Sequence, residues 1–337
     1  MTERGAGVAK RWVGWQSMTC LVFTLLASLF FSANAHSAVT SSNAIRTVSP
    51  SDVYRVVDDV YAELLLMQAA NFSTLPPIQT RSIRNRFPRH VFQKGREVFI
   101  KVQQLRYING LSVNEVPAIP TQQVMPKNVK VMMEHILQDI RELRSAYAVM
   151  KEIEPAAKVS GKSPTKVYEN ISRVNTLVSS LNIPSIVPND VYRLITTVNN
   201  VIRDILTTQK VTVAGISISP SENKQPKDVF QETLKLISQV NGLCQLKDIF
   251  CISGGVVAPI QLSGRIRPAE VLELMNNLLA DVVQIKINLG DQSANPLAPD
   301  PSGKTPSNVF DEVSRARALI RLLDQSEPVG RAVSQSK

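Results

Sequence analysis

The chain has 337 residues, of which 44% are hydrophobic, 5% aromatic and 20% charged, with a formal net charge of +10. Its 20 Pro and 14 Gly are ordinary levels, which excludes a collagenous or wholly disordered chain, and the apolar content suffices for one large or two medium cores. Three His and three Cys leave little from which to build a multi-ligand zinc or iron–sulfur site, so no cofactor is expected.

The first 35 residues read as an export address. Arg4, Lys10 and Arg11 precede an apolar run from Cys20 to Phe31, and Ala33 and Ala35 supply the small residues of a signal-peptide cleavage site. The run is shorter than the roughly 20 residues of a membrane span, so removal of residues 1–35 is expected, with an uncleaved anchor as the alternative. Cys20 opens the run rather than following it, and Lys10-Arg11 is not a twin arginine, so neither lipidation nor the twin-arginine route is indicated. The remainder holds no further apolar run of membrane length, and the expected location is periplasmic or secreted.

Beyond residue 46 the chain is organised by a repeat. Pro-x-x-Val recurs at Pro50, Pro88, Pro126, Pro164, Pro188, Pro226, Pro268 and Pro306, at intervals of 38, 38, 38, 24, 38, 42 and 38. Ten residues after each proline stand Val60, Val98, Ile136, Val174, Val198, Leu236, Leu278 and Ala316. The fourteenth and seventeenth positions are apolar in all eight units, and the seventh is apolar except at Gly95 and Thr233. Positions 3, 7, 10, 14 and 17 alternate steps of four and three, the spacing of a helix seam packed along its length. Each unit is therefore predicted to be an amphipathic helix of roughly 18 residues, about 27 Å long. Proline suits the first helical position, where an N–H has no intrahelical partner. Ser49, Ser163 and Thr305 are candidate caps, and Asp52 and Asn308 candidates for the reciprocal bond.

The fold class predicted is all-α, with eight helices in two four-helix bundle-like units, 46–183 and 184–325, and a flexible tail at 326–337. A single continuous superhelix is the alternative. About 19 residues separate successive helices, against the 2–8 usual in bundles. An extended return of that length reaches back along a helix, so successive helices are allowed to lie parallel with the returns packed outside. After Pro126 the helix is expected to continue to about Ile153, before Pro155.

Little in the sequence points to chemistry. His36, His90 and His135 are scattered, no hydrolase, zinc-protease or nucleotide-loop motif occurs, and Gly161-Lys162-Ser163 and Gly303-Lys304-Thr305 read as a turn followed by a helix cap. The acid pairs Asp58/Asp59 and Glu152/Glu154 read as solvated. Cys244 and Cys251 form an even pair in an exported chain and are predicted to be a disulfide. From Arg81 to Arg96 six cations (Arg81, Arg84, Arg86, Arg89, Lys94 and Arg96) occur with no acid. They read as a solvated basic connector or, as the functional alternative, as a binding segment for a polyanion such as anionic lipid, lipopolysaccharide or another acidic envelope component. The function indicated is a non-enzymatic interaction or scaffold module of the cell envelope, its partner another envelope protein or an anionic component, with no nucleic acid. The alternative is a periplasmic sensory or solute-binding protein with a small ligand inside one bundle, for which Gly95, Thr233 and Ala316 are the only hints of space.

Overall fold

A computed structural model of the chain describes residues 47–325, apart from 72–73, 75–82, 214, 258–261 and 263. The expected signal segment, the 326–337 tail and Arg81 lie outside the described residues. Eight α-helices are present among them: α1 (Pro50–Ala70), α2 (Pro88–Ile108), α3 (Pro126–Leu143), α4 (Pro164–Ser179), α5 (Pro188–Thr208), α6 (Pro226–Leu246), α7 (Pro268–Asn288) and α8 (Pro306–Gln325). The described residues contain no strand, only an isolated antiparallel bridge between Ile119 and Asn295.

Every helix opens on its proline. In seven of them the side chain two residues after the proline accepts the N–H of the residue before the proline. Asp52, Asn308, Asn128, Asp190, Asp228 and Glu270 do so with an oxygen, and His90 with Nδ1, at 2.8–3.0 Å. Lys166 of α4 cannot accept, and there the Ser163 hydroxyl receives the Lys166 N–H instead. The helix starts are thus held locally, by side chains within three residues of the proline.

The seam residues lie inside. At positions 3, 10, 14 and 17 of all eight units no side chain exceeds 3% exposure. These residues form two aliphatic cores, one from α1–α4 and one from α5–α8, within one compact unit running on from Thr47. In the first set α1 packs on α3 and α4, as does α2, while the consecutive pairs α1/α2 and α3/α4 do not touch; α5–α8 repeat this arrangement. Successive helices are therefore diagonal partners across a square. Pro50, Pro88, Pro126 and Pro164 with Val53, Val91, Val129 and Val167 surround one dimple, and the second set forms the same ring. All four helix starts meet at one end, so each bundle is parallel.

The connectors make this possible. Those inside a bundle run 17 to 21 residues, enough to return along a helix. They pack outside it: Arg55 of α1 donates to Ala156 O at 2.7 Å, and Ala156 N donates to Asp59. Arg193 of α5 holds Ala298 O in the same way. Only the eight residues 180–187 link α4 to α5, too few for a comfortable return. The chain enters α5 near where α4 ends, and the second bundle points the opposite way. The helix after Pro126 differs from expectation. It ends at Leu143, where Val149 N turns back onto Arg144 O and Ala148 adopts φ +52°, which folds Tyr147 and Val149 against the first core.

Candidate functional site: the polar seam between the bundles

The bundles meet through α2 and α7, and this seam holds the densest buried polar cluster. The two helices cross in opposite directions. Arg89, one residue into α2, reaches Asp281 far along α7, whereas Lys94, further along α2, reaches back to Glu273 at 3.5 Å. Arg89 Nε donates to Asp281 Oδ1 at 2.8 Å, and its Nη1 and Nη2 donate to Ser253 O and Gly255 O. His90 is fully buried. Its Nδ1 accepts the Phe87 N–H, so its Nε2 carries the proton toward Asp281 Oδ1 at 2.8 Å. Burial lowers the His90 pKa, and the ring is neutral. Burial raises the Asp281 carboxyl, but His90, Arg89 and the Val257 amide more than offset it and hold it below the usual range.

A second knot lies further along. Glu97 binds Lys94 at 3.0 Å and Lys101 at 3.2 Å and accepts from Asn175 Nδ2. Burial works against ionisation, yet the two ammonium groups bring Glu97 down to about 2. Burial likewise works against the Lys94 charge, but Glu273 and Glu97 raise its pKa well above the ordinary value. The Tyr168 hydroxyl donates to Glu273 at 3.0 Å and accepts from Asn277, while the Arg86 guanidinium lies over its ring at 5.1 Å.

The expected basic patch is thus largely turned inward. Arg86, Arg89, Lys94 and Arg96 are all under 8% exposed; of the described members only Arg84 faces solvent. A polyanion needs charge on the surface, and most of this charge answers carboxylates, carbonyls and a ring inside the protein. Cys244 and Cys251 lie at disulfide distance, 2.02 Å. They tie the end of α6 to the connector that carries Ser253, Gly255 and Val257. His135 and the Glu152/Glu154 pair are exposed, as a solvated reading expects. Asp58 and Asp59 instead accept from Asn170 and Ala156. The Gly-Lys-Ser and Gly-Lys-Thr turns place Lys162 over Tyr54 and Lys304 over Tyr192, beside the capping Ser163 and Thr305.

The small seam positions do not open pockets. The space a Cβ would take at Gly95 is filled by the Met132 methyl, and the Thr233 hydroxyl bonds back to Val229 O. The dimples at the proline ends hold about 10 Å³ each, room for about one water. No described helix is long and apolar enough to cross a membrane. The sequence alone does not single out Asp281, Glu97 or Glu273. Only α7 carried a signal: Leu272, Leu274, Leu279 and Val283 widen its apolar face beyond the seam, as a helix buried on several sides requires. Comparison with protein-family models, curated proteins and solved structures finds no match to this chain.

Proposed function

We propose that this chain is an exported, non-enzymatic helical-repeat protein that serves as an interaction or scaffold module in the cell envelope. The observation that carries the reading is the seam. Two filled bundles are joined by buried ion pairs, which supports a body built to hold shape and to meet partners with its outside. The charged, apolar and small-residue order of residues 1–35 supports export, and the Cys244–Cys251 pair suits an oxidising compartment. The contact surface we favour is the end of the first bundle where α2 and α3 finish. There Tyr107, Ile108 and Met150 are 75%, 49% and 92% exposed. The expected partner is another envelope protein or an anionic envelope component.

The test has two parts. Cell fractionation with thiol labelling should find the protein outside the cytoplasm, shortened by 35 residues and with Cys244 and Cys251 unreactive until reduced. A photo-crosslinking residue at position 107 should then capture one defined envelope partner that the same residue at exposed position 238 does not. A full-length cytoplasmic product with free thiols, or identical capture patterns from both positions, would overturn the reading.

A further inference from the structure

We propose that Arg96 and Arg193 form a binding site for a small oxyanion, of phosphate, sulfate or carboxylate type, in the crease between the bundles. Within α2 the buried cations are otherwise neutralised: Arg89 by Asp281, Lys94 and Lys101 by Glu97, and Arg106 by Asp139 and Glu142. Arg96 is the exception. It is 4% exposed, yet its bonds go to neutral groups, Nε to Pro117 O at 2.7 Å and Nη1 to Gln93 Oε1 at 3.0 Å. No carboxylate among the described residues pairs with it.

The charged group that acts on Arg96 is of the same sign, Arg193. Arg193 stands five residues after the proline of α5, and Glu273 five after the proline of α7. These neighbouring helices run parallel, so Arg193 shares the level of Glu273, which faces Lys94 two residues before Arg96. The backbone anchors of the two arginines are also joined. Pro117 O holds Arg96, Ala298 O holds Arg193, and their connectors pair at Ile119 and Asn295. Burial, with repulsion from Arg193, brings Arg96 down to about 10. Arg193 has one carboxylate, Asp300, whose side chain is 81% exposed and stands on the solvent side.

A guanidinium taken out of water without a counter-charge, as Arg96 is, is unfavourable, and a second cation beside it, the partly exposed Arg193, makes it more so. The bonds described leave Nη2 of each arginine uncommitted. An oxyanion between them would accept from both and supply the missing charge, the planar recognition for which arginine is suited.

The test is titration of sodium phosphate, sulfate and acetate separately into the purified chain in low-salt zwitterionic buffer, followed by calorimetry and thermal melting. Saturable binding by at least one of the three is expected. Phosphate or sulfate without acetate assigns a tetrahedral oxyanion, and acetate as well assigns a carboxylate. Arg193→Gln should weaken binding about tenfold or more while the chain stays folded, its anion-free melting temperature lower by no more than a few degrees. Arg203→Gln makes the same charge change at an exposed site on α5 and should leave the affinity unchanged. Arg96→Met should abolish binding, and if that variant does not fold, the two α5 variants decide. No saturable binding by any anion, or equal loss in Arg203→Gln, would overturn the proposal.

Discussion

Asp139 and Asp281 hold the same place in the repeat, thirteen residues after the proline of the third helix in each bundle, and both are buried. Asp139 is satisfied at home, by Gln103, Asn114 and Arg106. In the second bundle the positions of Gln103 and Arg106 are taken by Asn241 and Cys244. Cys244 is committed to Cys251, and Asp281 instead binds Arg89 and His90 of the other bundle. One repeat position therefore serves once as internal packing and once as the weld between halves. The seam positions determine that a unit folds into its bundle, and the outer positions determine what the bundle touches.

The largest expected effect tests that weld. Asp281→Ala strands Arg89 and His90 in the interior and should cost about 3–5 kcal/mol in urea unfolding. Asp139→Ala leaves Arg106 its bond to Glu142 and should cost clearly less; equal losses would dissolve the distinction. Next comes the seat of Phe87. Gly254 has φ +78° and the Phe87 ring lies where its Cβ would be, whereas Gly255 has φ +70° and open space. Gly254→Ala should destabilise by about 2–3 kcal/mol and Gly255→Ala by about 1–2 kcal/mol, the backbone strain alone.

The third prediction concerns pH. The His90 pKa is lowered by burial, so its contribution is fully present above its unfolded value of about 6.5 and is lost as pH falls through the folded value. Stability should decline on acidification below about pH 6.5. His90→Asn, which keeps an acceptor of the kind found at Asn128 and Asn308, should flatten that decline. Glu97, brought down to about 2, begins to lose its contribution only as pH falls below the unfolded carboxylate value of about 4.3, so the decline between about pH 6.5 and 4.5 is the range in which to read His90. The smallest effect is shared by the halves. Lys162 over Tyr54 and Lys304 over Tyr192 occupy equivalent places, and alanine at either should cost about 0.5–1 kcal/mol. Unequal costs would show that the bundles differ in their outer layers even where the residues match.

The helices were legible because their signals are local. A proline without an N–H, an acceptor two residues on and aliphatic side chains at steps of three and four act within one unit, whatever surrounds it. α3 stops at Leu143, short of the expected Ile153: nothing apolar or polar in residues 144–153 marks the stop, which comes from the turn at Ala148 packing Tyr147 onto the first core. The basic run was legible as a cluster but not as an interior. Arg89 and Lys94 find Asp281 and Glu273 across nearly two hundred residues of chain, and no short-range pattern announces such partners. Arg96 shows the converse, since its want of a carboxylate is visible only once its neighbours are in place.

The sequence by itself determined where each helix begins, which stripe it buries and that long returns alternate with one short link, because capping, periodicity and chain reach are properties of neighbouring residues. Only the tertiary structure decided that the helices of each bundle are parallel, that the bundles oppose one another, and that α2 and α7 bury charge between them. Those outcomes depend on which surfaces meet after the returns have folded back, where a buried charge is stable only beside a partner supplied from elsewhere in the chain.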